Sequence, residues 1–288
     1  RYFSALIADV SDERAQAEPE EHEREPASAK ARNALMRAQR LQGDSAEALA
    51  VEGLAAFCER RWRDAETAFR RALELEPDNV HALVPFGQIL GIWAAHDEGQ
   101  AVLARARAAD PLAALPYAAS GAGLLLARRR DEAQGFFERA LAVEPENTLA
   151  LWGSCMALVA LGRFDEGVAL ATQAAALTRR APFFLGLLGW ALGSAGRSAE
   201  ARSALEELRA QPEASRSYVP EAWVLAALGE TDAAFARLER AEAEYQAFLS
   251  FTGLPAYDAL RADARFAAMI DRLGFPAASA AGPSGSGG

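Results

Sequence analysis

Through the middle of the chain, apolar residues recur at helical spacing in runs of about a dozen, separated by short polar turns. Between Ala46 and Pro77 the pattern predicts an apolar helix, a turn at Arg60–Arg63, and a second helix ending in Leu73-Glu74-Leu75-Glu76-Pro77. Pro77 stops that second helix, because proline has no amide donor and its ring clashes with the preceding turn. The pattern then begins again. Its small residues hold a period of 34: Ala65, Gly99, Ala133, Gly167 and Ala201 form one column. Gly53, Gly87, Gly121 and Gly189 form a second, interrupted by Cys155, and Ala72, Ala106, Ala140 and Ala174 a third. Pro77, Pro111 and Pro145 make a fourth. Self-similarity at such a period marks a stacked-repeat architecture. Small side chains let two helices approach closely, while Phe69 and Leu49 fill the space between them.

The stretch Leu49–Pro77, with Gly53, Ala65, Phe69, Ala72 and Pro77, resembles the tetratricopeptide repeat, whose motif sets small residues in fixed columns and closes on a proline. Leu49 stands where that family usually has Trp, and Ala56 where it usually has Tyr. Copies starting at Val80 and Ala114 match nearly as well. Those starting at Thr148 and Pro182 lose the proline column, with Arg179 in its place. A sixth copy, from about Ser215, follows a one-residue slip that puts Ala234 and Ala241 in the small-residue columns. The resemblance implies an all-α fold, a right-handed superhelical solenoid of antiparallel helix pairs, with about six repeats over residues 46–245.

The flanks read differently. Residues 1–45 form a degenerate flank in which Ala31, Leu35 and Ala38 fit a partial repeat, behind a Glu-rich loop at Ser11–Pro26. Residues 246–275 predict a helical cap: Tyr257–Phe266 is followed by Met269, Ile270 and Leu273 at helical spacing. Residues 276–288 are small, polar and Gly-rich, and read as a disordered tail. The cap resembles those closing tetratricopeptide arrays in bacterial multidomain signalling proteins, where the array follows a kinase, a nucleotide cyclase or a winged-helix domain. Arg1 is not an initiator Met, so the expectation is a larger protein with such a domain upstream.

Composition narrows the function. Half of the chain is hydrophobic (51%), ample for a continuous core, and the formal charge of −10 argues against a nucleic-acid surface. The apolar runs Thr148–Gly162 and Pro182–Gly196 fall short of the roughly 20 residues a membrane span needs and coincide with first helices of repeats. Cys58 and Cys155 lie almost three repeats apart, beyond disulfide reach, which predicts reduced thiols and a cytoplasmic setting. The histidines His22, His81 and His96 are scattered. Glu18, His22 and Glu25 share one helical face, but Pro19 interrupts it, so no metal site is expected. Gly121-Ala122-Gly123 lies within a helix with no following Lys-Ser/Thr pair and is no phosphate loop. Asp131-Glu132 and Asp165-Glu166 open second helices, where carboxylates favour the positive end of the dipole. No catalytic constellation and no cofactor site emerges; the chain reads as a non-enzyme.

Two surfaces remain. Arg61, Arg129, Arg163 and Arg197 recur at the turns between paired helices, joined by Arg128 and Arg130. Asp64, Asp131, Asp165 and Glu200 follow closely and should neutralise that edge. The concave groove is lined in this family by first helices. Here its positions are Leu54, Phe57, His81, Gln88, Ile92, Leu125 and Leu126, then Trp152, Met156, Phe183, Trp190 and Trp223. The Lys, Arg and Asn that clamp a carboxy-terminal carboxylate in some relatives are missing from them. The last five predict an apolar, Trp-lined wall that binds a peptide or protein partner. The other reading has these side chains covered by the chain's own terminal segment or by packing between repeats. At the level of the whole protein, the alternative role is self-association beneath an upstream catalytic or DNA-binding domain, as a homo-oligomer.

Overall fold

The computed structural model describes residues 45–211 and 217–276. The partial repeat at Ala31–Ala38, the Glu18/His22/Glu25 face and the Gly-rich tail lie outside the described residues. Thirteen α-helices follow one another, with no strand among the described residues. They pair as α1 (Ala46–Cys58) with α2 (Trp62–Leu75), α3 (Val80–Ile92) with α4 (His96–Ala109), and α5 (Ala114–Leu126) with α6 (Arg130–Val143). The series continues with α7 (Thr148–Ala160) and α8 (Phe164–Leu177), α9 (Pro182–Ser194) and α10 (Ser198–Ala210), and α11 (Tyr218–Ala227) and α12 (Thr231–Ala243). Two 3-10 turns, Ala247–Ser250 and Pro255–Leu260, then lead to α13 (Ala264–Leu273).

The two helices of a pair differ in kind. The first helices from α3 onward are predominantly apolar and almost wholly buried, as in α9, where all residues from Pro182 to Gly193 are buried. Second helices are amphipathic, burying one stripe such as Ala133, Phe137 and Ala140 of α6. The glycine column explains the closeness of each pair: a Cβ at Gly53 or Gly121 would come within 2.7 Å of the Phe69 or Phe137 ring. Asn79 and Asn147 start α3 and α7 by accepting from the amides of Ala82 and Ala150.

The turn inside each pair carries a further periodic signal. One residue takes a left-handed backbone at Arg60, Ala94, Arg128, Gly162, Gly196 and Gly229. Glycine adopts that conformation without steric cost; Arg60, Ala94 and Arg128 carry the strain instead.

The array closes on itself. Arg60, in the first pair's turn, lies 4.7 Å over the Tyr245 ring at the end of the sixth pair. Trp62 Nε1 donates to the Leu273 carbonyl of α13 at 3.1 Å, and its ring meets Phe275 at 5.6 Å. Arg272 of α13 pairs with Glu242 of α12 at 2.8 Å. The C-terminal segment therefore bridges the last pair and the first.

Candidate functional site

Across the first helices α7, α9 and α11 the chain lays residues 247–260. The Phe248 ring sits 4.5 Å from Phe183 and just over 6 Å from both Trp152 and Trp223. Tyr257 meets Trp223 edge-on at 6.1 Å, and Phe248 stacks on Phe251 at 4.7 Å. Gly253 passes so near the end of α5 that a Cβ there would lie 2.6 Å from the Leu126 carbonyl oxygen. Asp258 then latches the segment to the repeat edge, accepting from Arg128 at 2.7 Å and Arg130 at 2.8 Å, with Arg261 beside it.

The five residues expected to face a partner are placed accordingly. Trp152, Phe183 and Trp223 do meet in one aromatic cluster, but Trp152, Met156 and Trp223 are fully buried, and Phe183 and Trp190 nearly so. The five side chains expected to form an open wall are buried, and three of them, Trp152, Phe183 and Trp223, pack against Phe248 of the protein's own tail. Phe248, Phe251, Tyr257 and Asp258 are the residues sequence reasoning missed. One signal was present: Arg128 and Arg130 make a triple-Arg run at one turn only, and there the ridge turns away to hold Asp258. Elsewhere the ridge is neutralised as expected, by Asp64, Glu132, Glu166 and Glu200 three residues on; in the middle two turns the partner is the Glu rather than the neighbouring Asp.

The front half of the concavity is not filled by the tail. Leu54 and Phe57 of α1, Val84, Gln88 and Ile92 of α3, and Leu115 of α5 line a shallow cavity, and Phe251 closes its inner end. Leu54 and Leu115 are half-buried and His81 exposed, so the cavity opens to solvent. Five of its lining residues (Leu54, Phe57, His81, Gln88 and Ile92) stand at groove positions read from the repeat register. Among the described residues no Asp, Glu, Lys or Arg lines it. Its buried polar member among the described residues is Gln88, 7% exposed, whose Nε2 makes no hydrogen bond within the protein.

Reactive groups elsewhere are quiet. Burial pushes the Cys155 thiol up, away from thiolate, and Cys155 forms no disulfide. Burial lowers the His96 pKa against the opposing pull of Asp97. Among the described residues no group of His, Cys, Asp and Glu is arranged to hold a metal, and no helix is long and apolar enough to cross a membrane.

Residues 46–79 match the tetratricopeptide repeat family. A tetratricopeptide repeat protein from Parabacteroides merdae superposes with a TM-score of 0.56 at 14% identity, over 85% of this chain and 92% of that one. The Cut9–Hcn1 hetero-tetramer of the APC/C gives 0.59 at 14% identity, over 86% of this chain and 46% of that one. No curated protein matches the chain in sequence. The chain carries a tetratricopeptide repeat and takes the all-α solenoid fold of tetratricopeptide proteins. Stacked helical repeats of this kind present extended concave surfaces and act as protein-interaction scaffolds.

Proposed function

We propose that this protein is a non-enzymatic scaffold that takes a peptide, or a segment of a partner protein, into the front of its concave face, the interaction arm of a larger bacterial signalling protein. The observation that carries the reading is the division of the groove. Its rear half holds the protein's own aromatic tail, while its front half is an apolar concavity floored by the buried Phe57, Val84 and Ile92 and edged by the half-buried Leu54 and Leu115. Leu54 and Leu115 stay half-exposed at its edge, and apolar side chains so placed favour a partner that removes them from water. The tail gives the Trp cluster a structural role, so the contacts to a partner fall on the first three repeats.

Selection of peptides from a random display library on the full chain, followed by affinity measurement on Leu54→Glu, tests this. Leu54 is half-buried, so a carboxylate there can stay solvated and spare the fold while charging the apolar cavity. Selected peptides should lose at least about tenfold in affinity on Leu54→Glu, the scale of a central interface anchor, with helix content unchanged. Peptides that bind Leu54→Glu as tightly as the unaltered protein would place the binding surface elsewhere.

A further inference from the structure

The front cavity contains one polar group that packing alone does not explain. Gln88 is more than nine-tenths buried on α3, it lines the cavity, and its Nε2 donates to nothing in the protein. A desolvated amide with an unused donor is destabilising, and a methionine or leucine would fill the same space without that cost. All its cavity neighbours on α1 and α5 are apolar: Leu54, Phe57 and Leu115. Among the described residues the donor thus stands in a largely apolar frame, with the exposed His81 the other polar side chain lining the cavity.

The segment seated in the adjoining part of the groove shows what that frame accepts. Ala247–Leu254 carries no charged residue, buries Phe248, Leu249 and Phe251, and runs up to the inner wall of the cavity, where Phe251 is shared between the two. We propose that the front cavity is a subsite for an uncharged apolar peptide segment, and that Gln88 selects it by donating Nε2–H to a backbone carbonyl of the bound segment. This rests on the groove reading above and adds to it a recognition residue and a ligand chemistry: one apolar side chain in the pocket, one carbonyl beside it, no charge. A carboxylate-bearing chain end is disfavoured, since among the described residues no Lys or Arg lines the cavity to receive it. The single neutral donor fits a mid-chain carbonyl.

The test uses the isotopically labelled full chain and two probes, acetyl-leucyl-phenylalanine amide and isobutylbenzene, followed by NMR. The two share apolar bulk, but only the first carries carbonyl acceptors. The dipeptide should shift the Gln88 side-chain amide together with the Leu54 and Ile92 methyl signals. Gln88→Met, which keeps length and removes the donor, should weaken the dipeptide about three- to tenfold, the range for one neutral hydrogen bond, and leave isobutylbenzene binding unchanged. Equal dipeptide affinity for Gln88→Met and the unaltered chain, with Leu54 and Ile92 still responding, would overturn the role of Gln88 while the groove reading stands. Silence of Leu54 and Ile92 towards both probes would overturn the two together. Nuclear Overhauser contacts from the Gln88 amide to residues 1–44 in the free protein would assign the pocket to the chain's own N-terminal segment and end the proposal of an external ligand.

Discussion

Phe248→Ala is the sharpest perturbation of the closed groove. The ring is 7% exposed and lies within 4.5–6.3 Å of Phe183, Phe251, Trp152 and Trp223, centroid to centroid. Returning a buried Phe side chain to water costs about 1.5–3 kcal/mol. The void left between two indoles and two phenyl rings adds to that, and Phe→Ala in cores costs about 3–5 kcal/mol in all. The short 3-10 segment can settle inward more readily than a long helix, which puts the expected loss near the lower end, about 3 kcal/mol. That is a large share of the roughly 5–15 kcal/mol that holds a typical domain together. Urea unfolding followed by both far-UV circular dichroism and Trp emission reads it out, because Trp152 and Trp223 flank the deleted ring. The emission should move to longer wavelength before helix content falls, as the tail loosens ahead of the repeats. A loss below about 1 kcal/mol, the range of ordinary surface changes and mild core swaps, with unmoved emission, would refute the claim that Phe248 plugs the groove.

Other substitutions probe the remaining supports. Burial pushes the Asp258 carboxyl up, but Arg128 and Arg261 outweigh it and hold its pKa below the usual carboxylate range. A depressed folded pKa means the stabilisation is present above the unfolded value near 4 and is lost as pH falls through the folded value. Asp258→Ala should therefore cost about 1 kcal/mol at neutral pH, after allowing for solvent screening of a partly exposed cluster, and the difference should shrink below about pH 4; a pH-independent difference in urea midpoints would contradict this. Glu221 is 4% exposed between Arg209 at 2.6 Å and Arg237 at 3.1 Å. Its two arginines reach solvent when released, so Glu221→Ala should cost about 1.5–3 kcal/mol rather than the full penalty of a stranded buried charge, as chemical denaturation will show. Ala140 is fully buried in α6, and Ala140→Leu should overpack its helix contacts by about 1–3 kcal/mol; an unchanged melting temperature would mean the column tolerates bulk.

The repeat register was readable because its causes are local. Small residues at Gly53, Ala65 and Ala72 are required wherever two helices touch, and Pro77 wherever a second helix must stop, so the period survives in a single sequence. The same register found the front cavity, since Leu54, Phe57, Gln88 and Ile92 take their facing from helical position alone. What fills the rear groove was not readable. Phe248 and Asp258 meet Trp152 and Arg128 across more than ninety residues of chain, through a 3-10 segment with no helical periodicity to announce it. An apolar first helix gives the same signal whether its groove face meets a partner or the chain's own tail. The triple Arg128-Arg129-Arg130 was the one local irregularity pointing to the tail, and an acidic residue following each turn made it look like part of a neutralised edge. The left-handed turn residues show the same limit: Gly162, Gly196 and Gly229 are suggestive, but Arg60 and Arg128 hide the column they share.

The central claim, a groove closed behind and open in front, is tested most directly by a crystal structure of the full chain with a display-selected peptide. The account predicts density for the peptide between Leu54, Phe57, Val84 and Ile92, ending against Phe251, with Phe248 still packed on Trp152, Phe183 and Trp223. A peptide lying on those three aromatic residues, with residues 247–260 expelled from the groove, would contradict it.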